Sequence, residues 1–291
     1  MFKVPVWVRN AAGFQTDFSA EDFRVFDGRD QLKISSFRKP DSPMLLFIAF
    51  DTVGDIAIIN QARVALGEHL RQLAPNYWVG LILAQEEIVV LQDPTPDREI
   101  VQQKIASLTQ IGKAGLLESI QSVADFTTGI LLHSDVRVAV IFITDSDIGN
   151  YRADYLNPPV NASDSRDLSR RFAGRALQER ISRMTLALSK FQAPIFIVHI
   201  DPGRDPLNRA YQNGLKQFAE ALGGQLFLSK TVADIPAVMQ EGFQWAQNFY
   251  LLGFDVPRTK SGFFRIQISV SHDPPSSSVD RLTYPLRLFF P

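Results

Sequence analysis

The chain has 291 residues, 45% of them hydrophobic and 21% charged, the balance of a globular protein able to bury one large core or one core and a small satellite. Its formal net charge of -1, from 30 basic and 31 acidic residues spread along the sequence, offers no basic stripe for a phosphate backbone and argues against a nucleic-acid partner. The absence of cysteine excludes disulfides, thiolate nucleophiles and zinc–thiolate sites, and no run approaches the ~20 apolar residues of a bilayer span.

The opening, Met1-Phe2-Lys3-Val4-Pro5, has no signal-peptide pattern and enters strand-like alternation at once, as a mature portion whose leader has been removed would. Val4, Val6 and Val8 alternate with outward positions, and Asn10 to Gly13 is a turn. Ser19 to Asp22 reads as one capped helical turn, followed by a hairpin from Phe23–Phe26 and Leu32–Phe37 about Asp27-Gly28. The pattern then changes. Met44–Phe50 is a continuous apolar run ending in Asp51, as a parallel strand buried on both faces requires. Ile56–Leu73 is helical, with Ile59, Ala62, Leu66, Leu70 and Leu73 on one stripe.

Strands are predicted at Trp78–Leu83 and Ile88–Leu91, then helices at Pro96–Leu108, with its proline in the first turn, and Leu116–Leu132. Val136–Thr144 is the clearest central strand and also ends in aspartate, Asp145. The polar stretch 146–167, with Asn157-Pro158-Pro159, reads as a long surface loop. A helix at Arg175–Phe191, a strand at Ile195–Ile200, a helix at Leu207–Leu222 stopped by Gly223-Gly224, a strand at Gln225–Leu228 and a helix at Asp234–Asn248 complete the alternation. The tail returns to β-structure at Phe249–Phe254, Phe263–Ser271 and Val279–Phe290, with a turn over Asp273 to Ser278.

Alternating strands and helices predict an α/β fold with a doubly wound, mostly parallel sheet and helices on both faces, Rossmann-like in the broad sense. The terminal segments are expected to meet as a small antiparallel β-module or sandwich. The corresponding division is 1–40, 41–248 and 249–291, with the first and last parts pairing.

In such a sheet, ligands bind at the carboxyl ends of the strands, where Asp51 and Asp145 stand. Asp51-Thr-Val-Gly-Asp55 resembles the D-x-S-x-S motif of von Willebrand factor type A domains, and Ile143-Thr-Asp-Ser146 resembles their I-T-D-G. Gly112 to Ile120 is similar to their G-G-T-A-L-Y-D-A-I. Val6 to Gly13, Phe18 to Gly28, Phe249 to Phe254 and Gly262 to Val270 resemble flanking segments of the acidobacterial group of these proteins, so the likeness covers nearly the whole chain.

The resemblance implies a metal-ion-dependent adhesion site holding magnesium or manganese, with one position open to a partner's carboxylate. Carried over residue by residue, that site is degenerate. Asp51 and Asp145 match, but Val53 replaces the first serine and Ala114 the threonine, and neither side chain is a ligand. Asp55 replaces the second serine and Ser146 the glycine. Lys113 is placed to neutralise a carboxylate in the ion's stead. Asp51, Asp55 and Asp145 are the candidate ligands left, and no cofactor is expected. The bland reading of the aspartates is structural: helix capping or tying of strand-end loops.

No His-x-x-x-His spacing links His69, His133, His199 and His272, and no nucleophile elbow or phosphate-binding glycine loop follows a strand. The resemblance therefore implies a non-catalytic binding module, extracellular or at the cell envelope. A protein partner would dock on Asp51, Thr52, Asp55, Lys113, Asp145, Ser146 and Asp147. Two other readings stay open: a metal-assisted hydrolase using the strand-end aspartates, and a scaffold subunit whose β-module makes the contacts.

Overall fold

A computed structural model describes residues 1–85, 87–109, 115–147, 168–203, 206–257, 261–271, 281–285 and 287–290. Lys113, Ala114, most of the expected 146–167 loop and the expected turn at Asp273 to Ser278 lie outside these residues. The described chain begins with β1 (Phe2–Asn10), β2 (Gly13–Phe14), a 3-10 turn (Ala20–Asp22), β3 (Phe23–Asp27), β4 (Asp30–Leu32) and β5 (Ile34–Arg38). Ser19 and Asp22 close a capping box on that turn.

The middle runs β6 (Met44–Asp51), α1 (Ile56–Gln72), β7 (Tyr77–Ala84), β8 (Ile88–Thr95), α2 (Arg98–Ala106), α3 (Leu116–His133) and β9 (Arg137–Thr144). It continues through α4 (Leu168–Leu188), β10 (Ile195–His199), α5 (Pro206–Ala221), β11 (Leu226–Leu228) and α6 (Ile235–Gln247). These strands form a six-stranded sheet in the order β11-β10-β9-β6-β7-β8. Its pairings are parallel except β7 with β8. Every residue of β9 and all but Leu45 of β6 are buried, because helices cover both faces and leave no solvent side for alternation. On one side α1 lies beside α2 and α6; on the other α4 lies beside α3 and α5.

The terminal segments supply β12 (Tyr250–Phe254), β13 (Gly262–Arg265), β14 (Gln267–Val270), β15 (Arg281–Thr283) and β16 (Arg287–Phe290). All of their pairings are antiparallel: β1 with β12, β2 and β15, β12 with β5, β14 with β3, and β13 with β16. Val4, Val6 and Val8 of β1 enter the module's core with Phe23, Tyr250, Leu252 and Phe254. The intervening residues, expected to point outward, are buried too: Trp7 belongs to the core of the large sheet, and Lys3 is enclosed. β1 thus presents its two faces to two different cores, which period-2 alternation allows and polarity alone does not reveal.

Several local boundaries differ from the sequence reading. The expected strand Leu32–Phe37 divides into β4, paired with β3, and β5, paired with β12. The expected Val279–Phe290 divides into β15, paired with β1, and β16, paired with β13. Pro96 precedes α2, whose cap is Asp97, the carboxylate accepting from the Glu99 and Ile100 amides. α4 begins seven residues before the expected Arg175, at Leu168. The expected strand at Phe263–Ser271 divides at Ile266, because β13 pairs with β16 and β14 with β3.

Candidate functional site

The strand order reverses about β6, since β7 lies on one side of it and β9 on the other, and the crevice at their carboxyl ends is the switch point of the sheet. β6 and β9 are paired so that Asp51 stands opposite Thr144. Asp51 is completely buried and its two carboxylate oxygens take separate donors: Oδ1 accepts from the Gly115 amide at 2.7 Å and Oδ2 from the Thr144 hydroxyl at 2.9 Å. Thr144 Oγ1 accepts in turn from the Ser146 amide at 3.0 Å.

Asp145 reaches back over the end of β6. Its carboxylate accepts from the Val53 amide, shared between both oxygens at 3.1 Å, and from the Gly54 amide at 2.8 Å. A side chain at Gly54 would place its Cβ 2.9 Å from Asp145 Oδ2, so glycine is what lets the loop approach the carboxylate. Burial raises the Asp145 pKa, opposed by the Gly54 and Val53 amides and assisted by the charge of Asp201.

The other predicted residues take different places. Asp55 is exposed and caps α1, accepting from the Ala57 amide at 2.7 Å. Thr52 is buried beneath the loop. Ser146 is buried; its hydroxyl meets the Tyr211 hydroxyl at 2.8 Å, and its carbonyl accepts from His199 Nε2 at 2.7 Å. Asp147 lies close enough to favour the charged form of His199. The structure thus brings Asp51, Asp145 and Ser146 together with the loop at 52–54, while Asp55 faces its own helix. The sequence reading missed Thr144, Gly115, His199 and Tyr211 as parts of this cluster. Of these, Thr144 and Gly115 carried a signal, since they fall inside the family-like segments 143–146 and 112–120, while His199 and Tyr211 carried none.

The described donors do not fit a divalent cation. Such an ion requires several oxygens in regular geometry. Val53 offers none, Asp55 is turned to its helix, and the two carboxylates that remain, Asp51 and Asp145, are too few oxygens for such a shell and are each engaged by donors of this chain. Among the described residues no group of three or more His, Cys, Asp or Glu could hold a metal ion. His199 donates to the carbonyl of Ser146 rather than to its hydroxyl, so these two do not form a base–nucleophile pair.

No protein-family model matches the chain, and no curated protein matches it in sequence. Solved structures do. Their number includes von Willebrand factor type A domains. One, from Catenulispora acidiphila, is 10% identical and matches 91% of this chain and 74% of its own with a TM-score of 0.49. The von Willebrand factor domain of the type V pili tip protein Mfa5 from Porphyromonas gingivalis is 14% identical over 69% of this chain and 93% of its own, at 0.45. A variant of the minor pilin PilB from Streptococcus sanguinis is 12% identical over 85% of this chain and 80% of its own, at 0.49. These likenesses concern the path of the chain; the strand order establishes the fold class by itself. No helix among the described residues is long and apolar enough to cross a membrane.

Proposed function

We propose that the protein is a non-catalytic, protein-binding module whose docking face is the loop cluster at the ends of β6 and β9, working without a metal ion at the cell envelope or outside the cell. The observation that carries this reading is the internal use of both strand-end aspartates. Oxygens that the family resemblance would commit to a cation and its partner are instead spent on the Val53, Gly54 and Gly115 amides and the Thr144 hydroxyl. Such bonds hold the loops in one conformation, so a partner meets a surface already ordered and loses less entropy on binding. What that surface offers is Gly54, Asp55 and Ile56, the last 50% exposed although large and apolar. Asp145 and Ser146 support its loops and Asp147 forms a polar rim, while Lys113, outside the described residues, is assigned to the face on the sequence resemblance alone.

A photo-crosslinking amino acid at Ile56 should capture one protein from envelope extracts, and the same probe at Leu186, remote from this face, should not. Asp145→Ala should abolish capture while the thermal transition remains cooperative. Equal capture at both positions, or capture indifferent to Asp145→Ala, would remove the reading. Calorimetry with magnesium, manganese and calcium tests the ion-free aspect separately: heat of binding at low-millimolar ion would return the metal-assisted alternatives.

A further inference from the structure

At the far side of the central sheet from β8, a free strand edge, a cleft and an unused cation coincide. β11 has β10 as its only strand partner among the described residues. The Ile197 amide donates to the Gln225 carbonyl at 2.9 Å, and the Ser229 amide to the His199 carbonyl at 3.0 Å. Backbone groups alternate sides along a strand, so Leu226 and Leu228 turn their amides and carbonyls away from β10. Residues Gln225 to Leu228 line a cleft of about 630 Å3 that is closed by α6 and by Arg9 and Phe14 of β1 and β2.

Arg9 is held there by its flat surfaces rather than by its donors. Its guanidinium carbon lies 5.0 Å from the centre of the Phe14 ring and 5.2 Å from that of Trp245, and these rings meet edge to face. It makes no hydrogen bond or ion pair among the described residues, and its Nε is buried without an acceptor. The register of β1 with β15 sets Arg281 directly opposite Arg9, a like-charge pair that costs stability until an anion joins it. The acids nearby do not answer this charge. Asp234 accepts from the Thr231 amide at 2.8 Å, its hydroxyl at 3.0 Å and the Lys230 amide at 3.1 Å. Glu241 lines the cleft, exposed, and forms no ion pair with Arg9.

We propose that this cleft binds an extended segment of a partner protein that bears a carboxylate, its main chain laid along β11 and its carboxylate on Arg9. A planar guanidinium with its fork free matches a carboxylate through two parallel hydrogen bonds. A free edge supplies the main-chain donors and acceptors that give strand addition its affinity. The surface lies apart from the loops around Asp51 and Asp145, and the inference stands independently of the function proposed for them.

Fluorescence anisotropy on the full chain would use a labelled Val-Thr-Val-Thr-Asp peptide with a free carboxyl terminus, against a counterpart ending in lysine amide. Saturable binding of the acidic peptide is expected, at least tenfold tighter than the counterpart. Arg9→Gln should weaken it roughly tenfold or more, and Arg9→Lys by less, since lysine keeps charge but not the fork. Should Arg9→Gln fail to fold, Leu226→Pro deletes one free-edge amide while leaving the ladder to β10, and should weaken binding likewise. In nitrogen-15 spectra the Leu226 and Leu228 amides should shift on titration. No saturation by about 5 mM peptide, equal affinity for both peptides, or full binding by the Arg9 and Leu226 variants would overturn the proposal. So would inorganic phosphate displacing the peptide with no shift at Leu226 and Leu228, which would reduce the cleft to a simple anion site.

Discussion

The imidazole of His199 is buried at the end of β10 and shares a hydrogen with the Ser146 carbonyl at 2.7 Å. A carbonyl only accepts, so the proton sits on Nε2, and the lone pair of Nδ1 is left without a partner. Burial pushes the pKa down from 6.5 to about 4, outweighing the Ser146 bond and the charge of Asp147. Because the folded value is the lower one, the unfolded chain takes up the proton first as pH falls. The stability contribution is therefore complete above pH 6.5 and is lost on the way down to about 4. At ~1.4 kcal/mol for each pH unit, the loss amounts to about 3 kcal/mol. Denaturant titrations of the wild type and His199→Gln at several pH values should show this extra loss in the wild type alone; parallel curves would refute it. Asp145 works in the other direction. Its pKa is raised by burial, so its contribution is greatest below the ordinary 3.8 and declines as pH rises through the higher folded value. Neither shift was legible beforehand: the sequence placed His199 in a strand and Asp145 at a strand end, but burial and facing donors come from non-local packing.

Among elements, the passage from α5 to β11 shows how local chemistry and tertiary space act on two neighbouring glycines. The Gly223 amide donates to the Glu220 carbonyl at 3.1 Å and the Gly224 amide to the Ala219 carbonyl at 2.7 Å, the paired bonds of a Schellman stop. Gly223 has φ 71°, a conformation that glycine adopts freely. Room constrains both, and Gly224 the more: a Cβ at Gly223 would lie 2.8 Å from Pro285 Cγ, one at Gly224 1.9 Å from the Ile195 carbonyl oxygen of β10. Gly223→Asn should cost about 1–2 kcal/mol, since asparagine tolerates the left-handed region but its Cβ must displace the Pro285 ring. Gly224→Ala should cost about 3 kcal/mol or more, because backbone must move. Urea midpoints would check the order, and equal costs would contradict it. The helix stop was readable from the glycine pair, whereas the closeness of Ile195 was not. The same division holds elsewhere. The apolar runs of β6 and β9 announced buried parallel strands, while the Asp51–Thr144 register, the early start of α4 and the break at Ile266 depend on pairing partners distant in sequence.

At the scale of the whole molecule, the β-module and the α/β domain are joined by buried polar groups at the end of the sheet away from the candidate site. Arg137 opens β9 and is fully buried; its guanidinium donates to Gln247 and Phe249 carbonyls on one connection and to Pro40 and Ser42 carbonyls on the other. Desolvation lowers its pKa, while the Tyr77 hydroxyl it also donates to works in the opposite direction. Lys3 of β1 donates to the Leu131 and Ser134 carbonyls at the end of α3, and Trp7 Nε1 to the Trp245 carbonyl of α6. Both connections between the two parts are thus held by one side chain, and β1 is shared by two cores. Unfolding should accordingly be a single transition, with far-ultraviolet circular dichroism and tryptophan fluorescence coinciding. Arg137→Met keeps an unbranched apolar stem but ends short of the guanidinium and leaves several buried carbonyls unpaired, at ~1–3 kcal/mol each. The variant should lose about 3 kcal/mol or more, and its two signals should separate, because the tryptophans at the junction report release of the module before the parallel sheet melts. Coincident curves with an unchanged midpoint would mean that the hydrophobic contacts of Trp7 alone, against Phe196, Trp245 and Phe249, are enough to couple the two parts.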